Sequence, residues 1–196
     1  MRLIVGLGNP GPEYAETPHN LGFAVIERLA EQARLRTRQH RARSVVRRGR
    51  LDRDEVLLAQ PLTYMNLSGA AVSALLESEG LTPADLIVVV DDVALPWGSL
   101  RIRERGSAGG HKGLESVLVA LGTEEFVRVR LGVRPPEGWV GDVAEYVLAP
   151  MSPEQRQVAA DMVAEAAEAV RAILREGPGR AMTRFNRREG APQPRA

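Results

Sequence analysis

LIVGLGNPGPEYAETPHN, residues 3–20, runs a strand, a tight loop and a helix start together in one short stretch. The apolar run Leu3-Ile4-Val5 reads as a buried strand. Gly6, Gly8, Asn9, Pro10, Gly11 and Pro12 break it into a loop. Thr17-Pro18 then reads as an N-cap followed by proline at the first helical position, which puts His19 and Asn20 in the first helical turn. A sharp loop after a buried strand presents Asn9 and the next helix presents His19, so the active site is expected here.

Working outward, the first helix is expected from Pro18 to about Arg34, with Val25, Ile26, Leu29, Ala30 and Ala33 on its apolar face. Residues 35–43 are polar and basic, a loop or irregular edge. Val45-Val46 and Val56-Leu57-Leu58 read as two strands turning at Leu51–Asp54, the second ending at Gln60-Pro61. Tyr64-Met65-Asn66-Leu67-Ser68-Gly69 leads into a helix stopped by Gly80. Asp85–Val90 is the most apolar strand and should be central, with Asp91 and Asp92 at its C-terminal end. Leu100–Arg103 alternates like a strand with one wet face, and Val127–Leu131 alternates again. Between them lie the glycine-rich loop Gly106–Gly113 and an amphipathic helix through Leu121. Residues 134–142, RPPEGWVGD, read as a loop able to act as a lid. Ser152-Pro153-Glu154-Gln155 is a capping-box start for a long helix ended by Gly177-Pro178-Gly179, with a short basic helix after it. Strands alternating with helices make this an α/β chain: one domain over residues 1–188, then a disordered tail over 189–196.

Composition narrows the chemistry. The 196 residues suffice for one core. The absence of cysteine removes disulfides, thiolate nucleophiles and Cys-based zinc sites, and fits a reducing, cytoplasmic setting. No apolar run approaches the roughly 20 residues of a membrane span, and the start lacks the apolar core of a signal peptide, so no membrane partner is expected. The net charge of +1 hides blocks of one sign: eight arginines with His40 between Arg34 and Arg50, and Arg180, Arg184, Arg187 and Arg188 near the C-terminus. Such blocks suit an anionic partner, nucleic acid first, although a solvated arginine-rich surface accounts for any single one of them.

The motifs separate in specificity. Gly6-x-Gly8-x-x-Gly11 matches a dinucleotide fingerprint only weakly, because Pro10 and Pro12 remove donors and the helix starts too late to meet a pyrophosphate. No serine sits in a nucleophile elbow, so an attacking water is favoured over a covalent nucleophile. His19 and His111 lack metal-ligand spacing, and no metal is expected. A helix N-terminus keeps His19 neutral and able to accept a proton, and a carboxylate at its other nitrogen would fix the tautomer. Asp91 is the candidate, since open α/β sheets gather ligands beyond the C-terminal ends of their strands, where Asn9, Asn66 and Asp91 all fall. For His19 the bland alternative is a surface histidine, and for Asp91 a turn cap.

LIVGLGNPGPEY, TPHNLGF, TYMNLSG, DDVALPWG, GGHKGLESV, RVRLGV and EYVLAPMSPEQ follow one another from Leu3 to Gln155. Together they closely resemble bacterial peptidyl-tRNA hydrolases. The resemblance implies a monomeric α/β domain with a mixed, twisted β-sheet surrounded by helices. It implies hydrolysis, without a cofactor, of the ester between a peptide or N-blocked aminoacyl group and the 3′ ribose of tRNA, recycling tRNA from stalled ribosomes. His19 then matches the general base, Asp91 the aspartate that orients it, and Asn9 the asparagine that helps select N-blocked substrates. Tyr14, Tyr64 and Asn66 match positions lining the peptide and 3′-end site, and Arg103 and Arg130 a basic pair for the tRNA 5′-phosphate. Two positions depart from the family. Pro18 replaces the usual arginine before the histidine. Lys112, the sole lysine, replaces an asparagine that contacts substrate; lysine only donates, so the family role does not transfer to it. Two rivals remain: a non-catalytic RNA-binding relative, such as an intron-splicing factor on the same fold, and a nucleotide-dependent oxidoreductase.

Overall fold

The computed structural model describes residues 1–186. Among them seven strands form one mixed sheet: β1 (Arg2–Gly6), β2 (Gln39–Arg41), β3 (Ser44–Leu51), β4 (Asp54–Pro61), β5 (Leu86–Asp92), β6 (Leu100–Arg103) and β7 (Val127–Gly132), in the order β2-β3-β4-β1-β5-β7-β6. β1 runs parallel to β4 and β5, and β5 parallel to β7. The two margins are antiparallel, β2–β3–β4 on one side and β6–β7 on the other. The helices are α1 (Leu21–Gln32), α2 (Ser68–Glu79), α3 (Lys112–Leu121), α4 (Val143–Leu148), α5 (Pro153–Glu176) and α6 (Pro178–Phe185). No described helix is long and apolar enough to cross a membrane. The expected tail, 189–196, lies outside the described residues.

The two-residue period of the strands builds two cores, one on each sheet face. Ile4, Leu58, Ile87, Val89 and Val129 pack beneath α1, α5 and α6. Leu3, Val5, Leu57, Val88 and Val90 pack beneath α2 and α3. The expected helix ends hold: Gly80 caps α2 in the left-handed region at φ 63°, and Ser152 with Gln155 forms the capping box that opens α5.

Two readings need correction, and the burial of one side chain was not foreseen. Pro18–Asn20 is a 3₁₀ turn, and α1 proper begins at Leu21; the Thr17 side chain donates to Tyr14 O rather than capping the helix. The irregular edge over 35–43 contains the short strand β2. Arg128, on an alternating strand, is buried rather than solvated. Its guanidinium donates to Gly106 O and to Glu124 O (3.0 Å) and lies over the Phe126 ring at 4.3 Å.

One close approach sets the position of the site. A Cβ on Gly22 would meet Leu7 O and Val89 O at 2.5 Å, and one on Gly6 would overlap Gly22 O. Two facing glycines thus let α1 lie directly on β1 and β5, bringing the turn that carries His19 over the ends of those strands.

Candidate active site

The C-terminal ends of β1, β5 and β7 open into a cavity of about 740 Å³. Its walls include Asn9, Tyr14, His19, Tyr64, Asn66, Asp91, Lys112 and Arg130, eight of the nine positions singled out in the sequence. Arg103, the ninth, is exposed on the edge strand β6 and does not line it.

His19 Nδ1 lies 2.9 Å from both carboxylate oxygens of Asp91. The pair is largely enclosed, with 12% of the His19 side chain and 2% of the Asp91 side chain exposed. An ionised carboxylate only accepts, so Nδ1 carries the proton and Nε2 presents its lone pair to the cavity. Burial acts to raise the Asp91 carboxyl, but the imidazoles of His111 and His19 beside it outweigh that effect and hold the carboxyl well below the usual range.

Asn9 is fixed at both ends. Its backbone N–H donates to Asn20 Oδ1 at 2.8 Å and its carbonyl accepts from Asn20 Nδ2 at 2.9 Å. Its own Oδ1 accepts from Met65 N–H at 2.8 Å. That contact decides the amide's orientation and leaves Nδ2, a donor, without a partner among the described residues. Asn66, in a 3₁₀ turn ahead of α2, is exposed on the same cavity. Gly109 and Gly110 line the cavity beside Lys112, which begins α3.

Arg130 reaches the cavity from β7 but is partly engaged. It donates to Ser107 O (3.2 Å) and Ala108 O (3.4 Å) and pairs with Asp92 at 3.4 Å, anchoring the glycine-rich loop. Arg101 opposite Arg130, and Arg103 opposite Arg128, place four arginines on one face of the β6–β7 ladder.

His111 is the functional position that sequence spacing missed. It is the N-cap of α3, its Nδ1 accepting from Leu114 N–H at 3.1 Å, and its Nε2 lies 2.9 Å from Asp91 Oδ1. Ligand atoms of His19, Asp91 and His111 fall within 4.8 Å of one another, a spacing a metal ion could use. The hydrogen bonds disfavour that use, since a cation at His111 Nε2 would leave a ring whose Nδ1 still accepts, an imidazolate. A second missed feature is α4, whose Val143, Ala144, Val147 and Leu148 wall the cavity just after the expected lid loop. The Asp142 side chain caps it, accepting from Ala144 N–H at 2.9 Å, the one local signal available. The Gly6–Gly11 pattern does not open a helix; a single 3₁₀ turn, Pro12–Tyr14, follows it, so no row of helical amides faces a pyrophosphate.

Residues 3–193 match the family model described as peptidyl-tRNA hydrolase. The chain is 50% identical to a peptidyl-tRNA hydrolase of Koribacter versatilis, over 98% of this chain and 96% of the relative. It is 46% identical to that of Solibacter usitatus, over 96% and 95%. Among solved structures, a peptidyl-tRNA hydrolase from Acinetobacter baumannii superposes with a TM-score of 0.89 at 30% identity, covering 97% of each chain.

Proposed function

The chain belongs to the peptidyl-tRNA hydrolase family and hydrolyses the ester that joins a peptide to tRNA; we propose that His19 performs this reaction as general base on a water molecule. The observation that carries the reading is that His19 gives Nδ1 to Asp91 at 2.9 Å and turns Nε2 to the cavity. Water loses a proton to Nε2 as its oxygen attacks the ester carbonyl. The charge that develops on the carbonyl oxygen meets the Asn9 Nδ2 donor, an interaction worth about 3 kcal/mol for a preorganised group. Collapse of the tetrahedral species expels the ribose 3′ oxygen, which takes the proton back from His19. No side-chain nucleophile, cofactor or metal enters the scheme.

Tyr14, Tyr64, Asn66 and Lys112 line the peptide and 3′-end portion of the cleft, and Arg103 and Arg130 serve the tRNA phosphates. The protein works as a cytoplasmic monomer and recycles tRNA from stalled translation. The test is release of N-acetyl-aminoacyl groups from tRNA, with and without a chelator. His19→Ala should fold and lose about 10²- to 10⁴-fold in rate, and the chelator should change nothing. Near wild-type turnover by a folded His19→Ala protein rejects the base. A wild-type protein that binds tRNA without cleaving it favours the splicing-factor alternative.

A further inference from the structure

His111 has no part in the scheme above, yet it sits inside the machinery with only 10% of its side chain exposed. Its protonation is readable from its neighbours. The Leu114 backbone N–H can only donate, so His111 Nδ1, 3.1 Å away, must accept and carries no proton. The proton of the neutral ring therefore resides on Nε2, which faces Asp91 Oδ1 at 2.9 Å. That same oxygen also receives His19 Nδ1 at 2.9 Å, while Oδ2 receives His19 alone. The two rings stand 4.8 Å apart between centroids, tilted by 45°, with the carboxylate bridging them.

We propose that His111 is a positioning residue of the hydrolysis: locked as its Nε2–H tautomer by the first turn of α3, it donates to Asp91 and sets both the plane of that carboxylate and the share of its charge that reaches His19. The inference rests on the reading of His19 as the base. A carboxylate held by one partner can turn about its Cβ–Cγ bond. A second donor, fixed to a different element, removes that freedom and keeps both oxygens on His19 Nδ1. The same donor draws on the carboxylate's charge, so the His19 imidazolium is less favoured than it would be beside an undivided Asp91. The other charged and titratable groups around the cleft are unchanged by substitution at position 111. Asp92 is paired with Arg130 across β5 and β7. Lys112 follows His111 on α3, Tyr14 and Tyr64 lie on the walls, and Asp142 stands at the start of α4.

His111→Asn separates positioning from capping. Asparagine is a good N-cap and can serve α3, but its shorter side chain cannot reach Asp91 while doing so. The variant should keep its thermal midpoint close to wild type, lose kcat/KM on the plateau, and move the acid limb of kcat/KM to higher pH by about half a unit or more. His111→Gln, long enough to place an amide N–H near Asp91, should recover part of both losses. An acid limb that stays put, or moves to lower pH, in folded His111→Asn overturns the proposal. The parent reading fails separately, by activity that survives His19→Ala. Nitrogen-15 NMR of the wild-type rings gives a second readout that needs no variant. A protonated Nε2 with a bare Nδ1 on His111 at neutral pH is expected, and the Nδ1–H tautomer overturns the proposal.

Discussion

Asp91 accepts from two imidazoles, so exchanging one of its oxygens for an amide removes an acceptor and puts a donor where two N–H groups converge. Asp91→Asn is therefore expected to loosen the His19 tautomer and lower the plateau rate by about 10²- to 10⁴-fold. The sign of its pH effect follows from charge. A carboxylate favours the imidazolium and a neutral amide does not, so the acid limb moves to lower pH, opposite to the shift expected for His111→Asn. A pH–rate profile of the folded variant checks this, and an unmoved limb would mean that Asp91 does not act on His19. The wild-type carboxyl is held below its usual range, so its contribution to stability is present above the unfolded value and is lost as pH falls through the folded one. His19 and Asp91 were legible in the sequence because each sits at a local signal, the turn opened by Pro18 and the end of the most apolar strand. His111 was not. Its contact with Asp91 spans the whole of β6 and a glycine-rich loop, and no spacing rule links residues brought together from separate elements.

The elements divide the same way. β5, α2 and α5 were readable because an apolar run, a Gly80 stop and a Ser152 capping box are each complete within a few residues. α4 was not, since six residues cannot display a helical period, and β2 was not, since its three residues are defined by pairing with β3. Burial of Arg128 was hidden because alternation reports which side chains share a face, not what covers that face. The glycines of the opening stretch were read as loop formers and phosphate candidates, whereas Gly6 faces Gly22 where α1 crosses the sheet. Gly22→Ala tests how far the site depends on that contact. Its Cβ would meet two backbone oxygens, Leu7 O and Val89 O, at 2.5 Å, and neither can swing aside like a side chain. The helix must lift, at a cost of about 1–3 kcal/mol for overpacking. In a domain of this size the thermal midpoint should fall by about 2–4 °C per kcal/mol. Hydrolysis measured well below that midpoint should fall too, because the turn bearing His19 moves with α1. Full activity in a destabilised Gly22→Ala protein would separate the packing from the catalysis.

Across the molecule, charge is less available than the sequence suggests. Of the eight arginines between Arg34 and Arg50, Arg38 and Arg47 share Glu27, and Arg41 and Arg48 share Glu79. That block also lies at the β2–β3 margin, the opposite end of the sheet from β6. The arginine on the wall of the candidate cleft is Arg130 of β7, and within the expected phosphate pair the two members are not equivalent. Arg103 is exposed on the edge strand, outside the cavity, and makes no hydrogen bond or ion pair among the described residues. Arg130 lines the cavity and ties down Ser107 O, Ala108 O and Asp92. Losing Arg103 removes a cation and little else. Arg103→Ala should weaken tRNA binding, make its dependence on salt shallower by about one ion, and leave hydrolysis of a minimal substrate lacking the tRNA body unchanged. Losing Arg130 also frees the glycine-rich loop that carries Gly109, Gly110 and His111. Arg130→Ala should therefore slow the minimal substrate as well as weaken tRNA binding. Measuring both variants on both substrates at two salt concentrations decides the matter. Equal losses on the minimal substrate would place Arg103 in the catalytic centre, and no loss there for Arg130→Ala would reduce Arg130 to a phosphate contact like its neighbour.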